Sequence, residues 1–120
     1  MKYNFFGTHI MSDIYGIEKN LCLDDIQCKL IIEEAIMQSH AHVIKTVSHI
    51  FDSGGFTLIS LLKESHVSIH TYPESNAAFI DVFTCGNTDT QKIIDILIDY
   101  FKPNKYISKK IIRGTKNTSF

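Results

Sequence analysis

The residues best able to do chemistry are grouped in the middle of the chain. Glu64 and Ser65 are consecutive, His70 lies five positions after the serine, and Glu74 follows four positions later. Cys85 adds a thiol from a nearby stretch that alternates polar and apolar residues. A hydroxyl, an imidazole, a thiol and carboxylates are the groups that serve nucleophilic and acid–base chemistry.

Three interpretations of this group are open from the residues alone. His66, Ser68 and His70 can form the polar face of a half-exposed strand, because alternate residues of a strand share a face. A zinc site of His66, His70 and Cys85 is disfavoured, since strand residues four apart lie about 13 Å from each other. The third is nucleophilic chemistry at Ser65 with a histidine base, although the G-x-S-x-G sequence of α/β-hydrolases is missing.

Strands and two helices are predicted around these residues. Alternating and β-branched stretches predict strands over residues 5–15, 42–51, 56–62, 66–72, 77–85 and 106–112. The first helix is predicted from Asp24 or Asp25 to about Gln38, and the second after a cap at Asn87 or Thr88. This order, with short turns between the central strands, predicts an α+β fold: an antiparallel sheet with two helices on one face.

The apolar positions predict which faces are covered. Ile26, Leu30 and Met37 are expected in the buried stripe of the first helix, with residues 31, 32, 35 and 36. In the strand over residues 77–85, Phe79 and Phe83 alternate with the helix-facing positions. Exposed apolar area costs about 25 cal/mol per Å². We therefore expect the same sheet of a second protomer to cover them, giving a homodimer with a four-layer αββα sandwich.

Composition restricts the class of protein. A chain of 120 residues with 44% hydrophobic residues and a net charge of −1 is typical of one folded domain, not of a general nucleic-acid binder. No apolar run approaches the roughly 20 residues of a membrane-spanning helix. The first residues make a poor signal peptide, and three cysteines form no paired framework. A cytoplasmic protein is expected.

Two sequence blocks, ESHVSIHTYPE and AAFIDVFTCG, resemble the signature of the prokaryotic S-adenosylmethionine decarboxylases. Gly7-Thr8-His9 is similar to the opening strand of that family, and the resemblance extends over nearly the whole chain. It implies a single domain over residues 1–120 that cuts itself between Glu64 and Ser65, into residues 1–64 and 65–120.

The resemblance also implies the roles of the central residues. The Ser65 hydroxyl attacks the preceding carbonyl, and His70 then removes the serine α-proton, since imidazole is a base available at neutral pH. The cofactor that results is a pyruvoyl group, which forms a Schiff base with the substrate amine and accepts electrons as CO₂ leaves. Cys85 returns a proton to the α-carbon, and no metal is needed.

The substrate implied is S-adenosylmethionine, whose decarboxylated product supplies the aminopropyl group of spermidine. By the same resemblance, Glu74 is expected to bind the ribose hydroxyls and Phe51 to stack on adenine. Thr57 lies where the family often has a serine that assists processing.

The chain departs from the family pattern in three places. Tyr72 replaces a tryptophan, Lys63 replaces a small residue, and the run Asn76 to Phe79 replaces the usual Gly-Tyr-Ala-Ala. The last change lies beside the active-site strand, so a pyruvoyl-dependent ornithine or arginine decarboxylase of the same superfamily is an alternative. An inactive regulatory paralogue of an active subunit is a second alternative.

Overall fold

A long run of alternating and β-branched segments forms one sheet, onto which the helices pack. The computed structural model describes residues 2–119, with side chains from residue 5 to residue 114. The strands are β1 (Lys2–Tyr15), β2 (Val43–Ile50), β3 (Phe56–Leu62), β4 (Ser65–Tyr72), β5 (Ala77–Cys85) and β6 (Lys105–Ser119). The helices are α1 (Lys19–Leu23), α2 (Asp25–Gln38) and α3 (Thr90–Phe101), with a 3₁₀ turn at Pro73–Ser75.

The six strands form a single antiparallel sheet in the order β2-β3-β4-β5-β1-β6. The strand β4, which contains most of the predicted site residues, therefore lies inside the sheet between β3 and β5. Both of its neighbours are joined to it by short connections, as expected for hairpins. The predicted α+β architecture is confirmed.

The core lies between one face of the sheet and the helices. Val67 and Ile69 of β4 and Ile80 and Val82 of β5 point toward the helices and are almost completely buried. The short helix α1 is tied to the same face, because the Thr71 hydroxyl donates a hydrogen bond to the Cys22 carbonyl at 2.7 Å. Fixing these alternate residues inward sends His66, Ser68, His70 and Tyr72 to the opposite, open face, so both histidines of β4 lie on the same face.

The stripe predicted for the first helix was partly wrong. Ile26, Leu30 and Met37 are 71%, 57% and 67% exposed, whereas the face toward the sheet consists of other residues of α2: Cys28, Ile32, Ala35 and Ile36. The helix is apolar on two sides, so periodicity alone could not choose between them.

The contacts of the sheet settle which side of α2 is inward. Thr46 of β2 donates a hydrogen bond to the Glu33 carboxylate at 2.8 Å, so this side of α2 contacts the sheet. The second of the two predicted helices is α3, and it begins one or two residues later than predicted. The Asp89 side chain accepts a hydrogen bond from the Lys92 N–H and so caps this helix.

The open face of the sheet is rich in apolar side chains. Phe79 is 40% exposed and contacts Tyr72, with ring centroids 5.1 Å apart. Phe83 is half-buried, because the Arg113 guanidinium lies over its ring at 4.8 Å from the centroid. Other exposed apolar residues share this face by register: Val47, Ile59, Leu61, Ile107 and Ile111. Between residues 2 and 119, no helix is both long and apolar enough to cross a membrane.

Candidate active site

The connection between β3 and β4 is a tight hairpin with an unfavourable conformation at its end. Leu62 pairs with Ser65, so Lys63 and Glu64 alone form the turn. Such turns favour glycine or asparagine, which readily adopt positive φ. Neither occurs here, and the positive φ lies on Ser65, at 151°. A non-glycine residue in such a sparsely populated region costs about 1–3 kcal/mol, so the Glu64–Ser65 peptide is held under strain.

The carbonyl of this peptide is held by the neighbouring strand. The Cys85 backbone N–H donates a hydrogen bond to the Glu64 carbonyl oxygen at 3.0 Å. The Cys85 thiol lies 3.8 Å from the Ser65 hydroxyl oxygen. An N–H aimed at a carbonyl oxygen stabilises the negative charge that develops there when the carbon is attacked. The end of β5 thus supplies both a thiol and an oxyanion donor to the Glu64–Ser65 peptide.

The Glu64 side chain is bound by His42, the residue just before β2. The His42 ring Nδ1–H donates to Oε2 at 2.9 Å, and the His42 backbone N–H donates to Oε1 at 3.0 Å. The ring hydrogen bond is the main reason why the pKa of Glu64 lies below its ordinary value. The carboxylate is therefore ionised and fixed on both oxygens.

A second cluster occupies the other end of β4. Thr57 of β3 and His70 of β4 are paired in register, and the Thr57 hydroxyl lies 2.8 Å from His70 Nδ1. They line a cleft of about 370 Å³. The cleft has seven lining residues: Phe51, Ser53, Thr57, His70, Thr71, Tyr72 and Glu74. An aromatic ring, an imidazole and a carboxylate thus meet in one concave site, which is typical of small-molecule binding.

The structure separates the predicted site residues into two groups within one chain. Ser65 lies with Glu64 and Cys85, whereas His70 lies with the cleft residues at the far end of the same strand. Five residues of extended chain, at about 3.3 Å each, place Ser65 and His70 roughly 16 Å apart. His70 of one chain therefore cannot reach the Ser65 α-carbon of that chain.

Several residues near the site were not singled out from the sequence. His42 carried no signal, because its contact with Glu64 arises from strand pairing across 22 positions. Ser53 lines the cleft. On the open face, Asp81 contacts His9 at 2.5 Å and His66 at 3.6 Å. The contact between Asp81 and His66 depends on the register between β4 and β5.

The chain matches the model of the family described as S-adenosylmethionine decarboxylase over residues 8–114. It is 44% identical over 115 residues to S-adenosylmethionine decarboxylase proenzyme 2 of Bacillus cereus, covering 95% of this chain and 94% of that protein. The proenzyme of Archaeoglobus fulgidus is 35% identical over 109 residues, covering 90% of this chain and 97% of that protein.

Comparison with a solved structure indicates the same family. The crystal structure of the adenosylmethionine decarboxylase from Aquifex aeolicus superimposes with a TM-score of 0.89 at 28% identity, covering 98% of both chains. The sequence resemblance and the predicted fold are both confirmed by these matches. The chain belongs to the S-adenosylmethionine decarboxylase family of carboxy-lyases.

Proposed function

We propose that this chain is a proenzyme of one domain that cuts itself between Glu64 and Ser65, into residues 1–64 and 65–120, and then decarboxylates S-adenosylmethionine. The proposal rests on the conformation and the hydrogen bonding of the Glu64–Ser65 peptide. Its serine has a strained φ of 151°, and its carbonyl accepts the Cys85 N–H at 3.0 Å. Strain that is released by cleavage, together with a polarised carbonyl, favours attack by the adjacent hydroxyl.

Cleavage needs no reactant other than groups of the protein and water. The Ser65 Oγ bonds to the Glu64 carbonyl carbon, the C–N bond breaks, and the peptide becomes an ester with a free serine amine. Removal of the Ser65 α-proton by His70 of the partner subunit expels the Glu64 carboxylate and leaves an unsaturated residue. Hydrolysis of that residue releases ammonia and leaves a pyruvoyl group at the start of β4.

The surroundings of Ser65 fit a pyruvoyl group. When present, this group supplies a ketone that accepts electrons as CO₂ leaves the substrate. The residues near it supply the proton transfer. The Cys85 thiol, 3.8 Å from the Ser65 oxygen, is placed to return a proton. The main chain of β5 keeps Cys85 in position by pairing with Gly7 of β1.

The cleft favours a nucleoside substrate. Phe51 is half exposed at its rim, and its ring is held edge-on by His49 at 4.8 Å between centroids. Glu74 is exposed at the end of β4, where a carboxylate can accept hydrogen bonds from ribose hydroxyls. A flat aromatic face and a diol acceptor in one cleft suit adenosine better than the aliphatic chains of ornithine or arginine.

The active site is completed by a second copy of the chain in a homodimer. Two sheets packed face to face in opposite directions bring Ser65 and Cys85 of one protomer against His70 and Thr57 of its partner. The apolar open face supports this arrangement, because a second sheet would cover its exposed side chains. Phe79, for example, is 40% exposed in one chain. The four-layer αββα sandwich explains how residues roughly 16 Å apart in one chain act together.

A cytoplasmic location belongs to the same proposal. Among the described residues, Cys22 and Cys28 are buried free thiols and Cys85 is an exposed one, which suits a reducing compartment. A free thiol at position 85 is also what the proton-transfer role requires.

Intact masses of the denatured protein test the cleavage. We expect a fragment ending at Glu64 and a second fragment lighter than its serine form by one ammonia, and a single uncut mass for Ser65→Ala. Release of labelled CO₂ from S-adenosylmethionine, ornithine and arginine then identifies the substrate. An uncut wild-type chain that releases no CO₂ would refute the proposal and favour a regulatory paralogue.

Mixed expression of two variants tests the shared site. His70→Ala alone should remain uncut, because its serine lacks a base, and Ser65→Ala has no hydroxyl to react. When the two are co-expressed, the His70→Ala chain should be cut by the histidine of its Ser65→Ala partner. No cleavage in purified mixed dimers would show that each site is built within one protomer.

A further inference from the structure

We propose that His42 is a positioning residue for chain cleavage, an inference that rests on the proposed function. It does not contact the reacting atoms. It binds the side chain of Glu64, the residue whose carbonyl is attacked, through its ring Nδ1–H at 2.9 Å and its backbone N–H at 3.0 Å. Both oxygens of the carboxylate are thereby used, which restricts rotation of the whole side chain.

The peptide before the cleavage point is held at three places. The Lys63 N–H donates to the His42 carbonyl at 3.0 Å, so the turn is also joined through the main chain to the residue just before β2. The Glu64 carbonyl accepts from the Cys85 N–H at 3.0 Å. With its side chain bound on one side and its carbonyl on the other, Glu64 presents its carbonyl carbon to Ser65 in one orientation. A fixed near-attack geometry raises the rate of an intramolecular step.

The exposure of the two partners limits the size of the effect. The His42 side chain is 66% exposed and the Glu64 side chain 22% exposed, so water competes for the same hydrogen bonds. The backbone N–H of residue 42 persists in any non-proline variant. We therefore expect loss of the ring to slow cleavage about three- to tenfold, the usual range for one partly solvated hydrogen bond.

Two variants test this role. His42→Ala removes the ring donor, whereas His42→Asn keeps a side-chain N–H the same number of bonds from the α-carbon. Freshly folded protein is sampled over time, and cut and uncut masses are counted. We expect three- to tenfold slower cleavage for His42→Ala and a rate within about twofold of wild type for His42→Asn.

Further measurements separate this role from general destabilisation. Thermal unfolding of uncut samples checks that the alanine variant is folded, and CO₂ release per cut chain should match the wild type within about twofold. The proposal would be overturned if His42→Ala were cleaved at the wild-type rate, or if His42→Asn were cleaved as slowly as His42→Ala. Failure of the proposed function gives a different result, because the wild-type chain would then remain uncut.

Discussion

In the proposed cleavage, the hydroxyl of Thr57 should control how well His70 acts as a base, and Thr57→Val tests this directly. For Nε2 to accept a proton, Nδ1 must carry the other one, which then donates to the Thr57 oxygen 2.8 Å away. Valine has nearly the same shape as threonine and suits a strand, so the substitution removes the acceptor with little change in packing.

The expected magnitude follows from the charge that His70 gains. A hydrogen bond to a charged group contributes about 1.5–3 kcal/mol, and each 1.36 kcal/mol of barrier is tenfold in rate. Because both side chains are only partly exposed, water replaces the lost acceptor poorly. We therefore expect Thr57→Val to cleave roughly 10- to 150-fold more slowly than the wild type.

The assay is the time course of cut and uncut masses after rapid refolding, at neutral pH and fixed temperature. Thr57→Ser is the matched control, because it keeps the hydroxyl, and its rate should stay within about threefold of the wild type. Cleavage of Thr57→Val at the wild-type rate, with an unchanged unfolding temperature, would refute the role of this hydrogen bond.

Three further predictions concern binding and stability. Glu74→Gln should raise the KM for S-adenosylmethionine about tenfold with little change in chain cleavage, as measured by CO₂ release and intact mass, since the loss is one charge-assisted hydrogen bond. Phe56→Ala should lower the free energy of unfolding by about 3–5 kcal/mol in urea titration, because this ring is completely buried. Burial raises the pKa of the Cys28 thiol from 9.0 to about 12, so the folded chain binds this proton more tightly than the unfolded chain. The free energy of unfolding should therefore fall as pH rises from about 9 to about 12, and fall less in Cys28→Ala, measured by denaturation at each pH.

The sequence predicted the local structure around the site well. Strict alternation over His66 to Tyr72 indicated which side chains of β4 share a face, because the period of a strand is two. The strands predicted over residues 66–72 and 77–85 left a short turn between them, where Asn76 adopts the left-handed conformation with a φ of 49°. The two motif blocks, ESHVSIHTYPE and AAFIDVFTCG, are sufficient to indicate the family.

Helix α2 shows where periodicity is insufficient. Its residues form apolar groups on two sides, and the choice between Ile26 and Cys28 as the inward position depends on which side meets the sheet. That choice is made by tertiary contacts, among them the hydrogen bond between Thr46 and Glu33. The hydrophobic pattern of one sequence carries no information about such contacts.

The order of the amino acids is enough to show which reactive groups are available: a serine after a glutamate, a histidine, a thiol and a carboxylate, in the order of one enzyme family. The distribution of these groups in space depends on tertiary contacts. Strand pairing placed Cys85 against the Glu64 carbonyl and His42 against its side chain. The extended geometry of β4 kept His70 roughly 16 Å from Ser65. A strand fixes distance along its length and a sheet fixes its neighbours, so adjacency in sequence and adjacency in the site are separate properties of this protein.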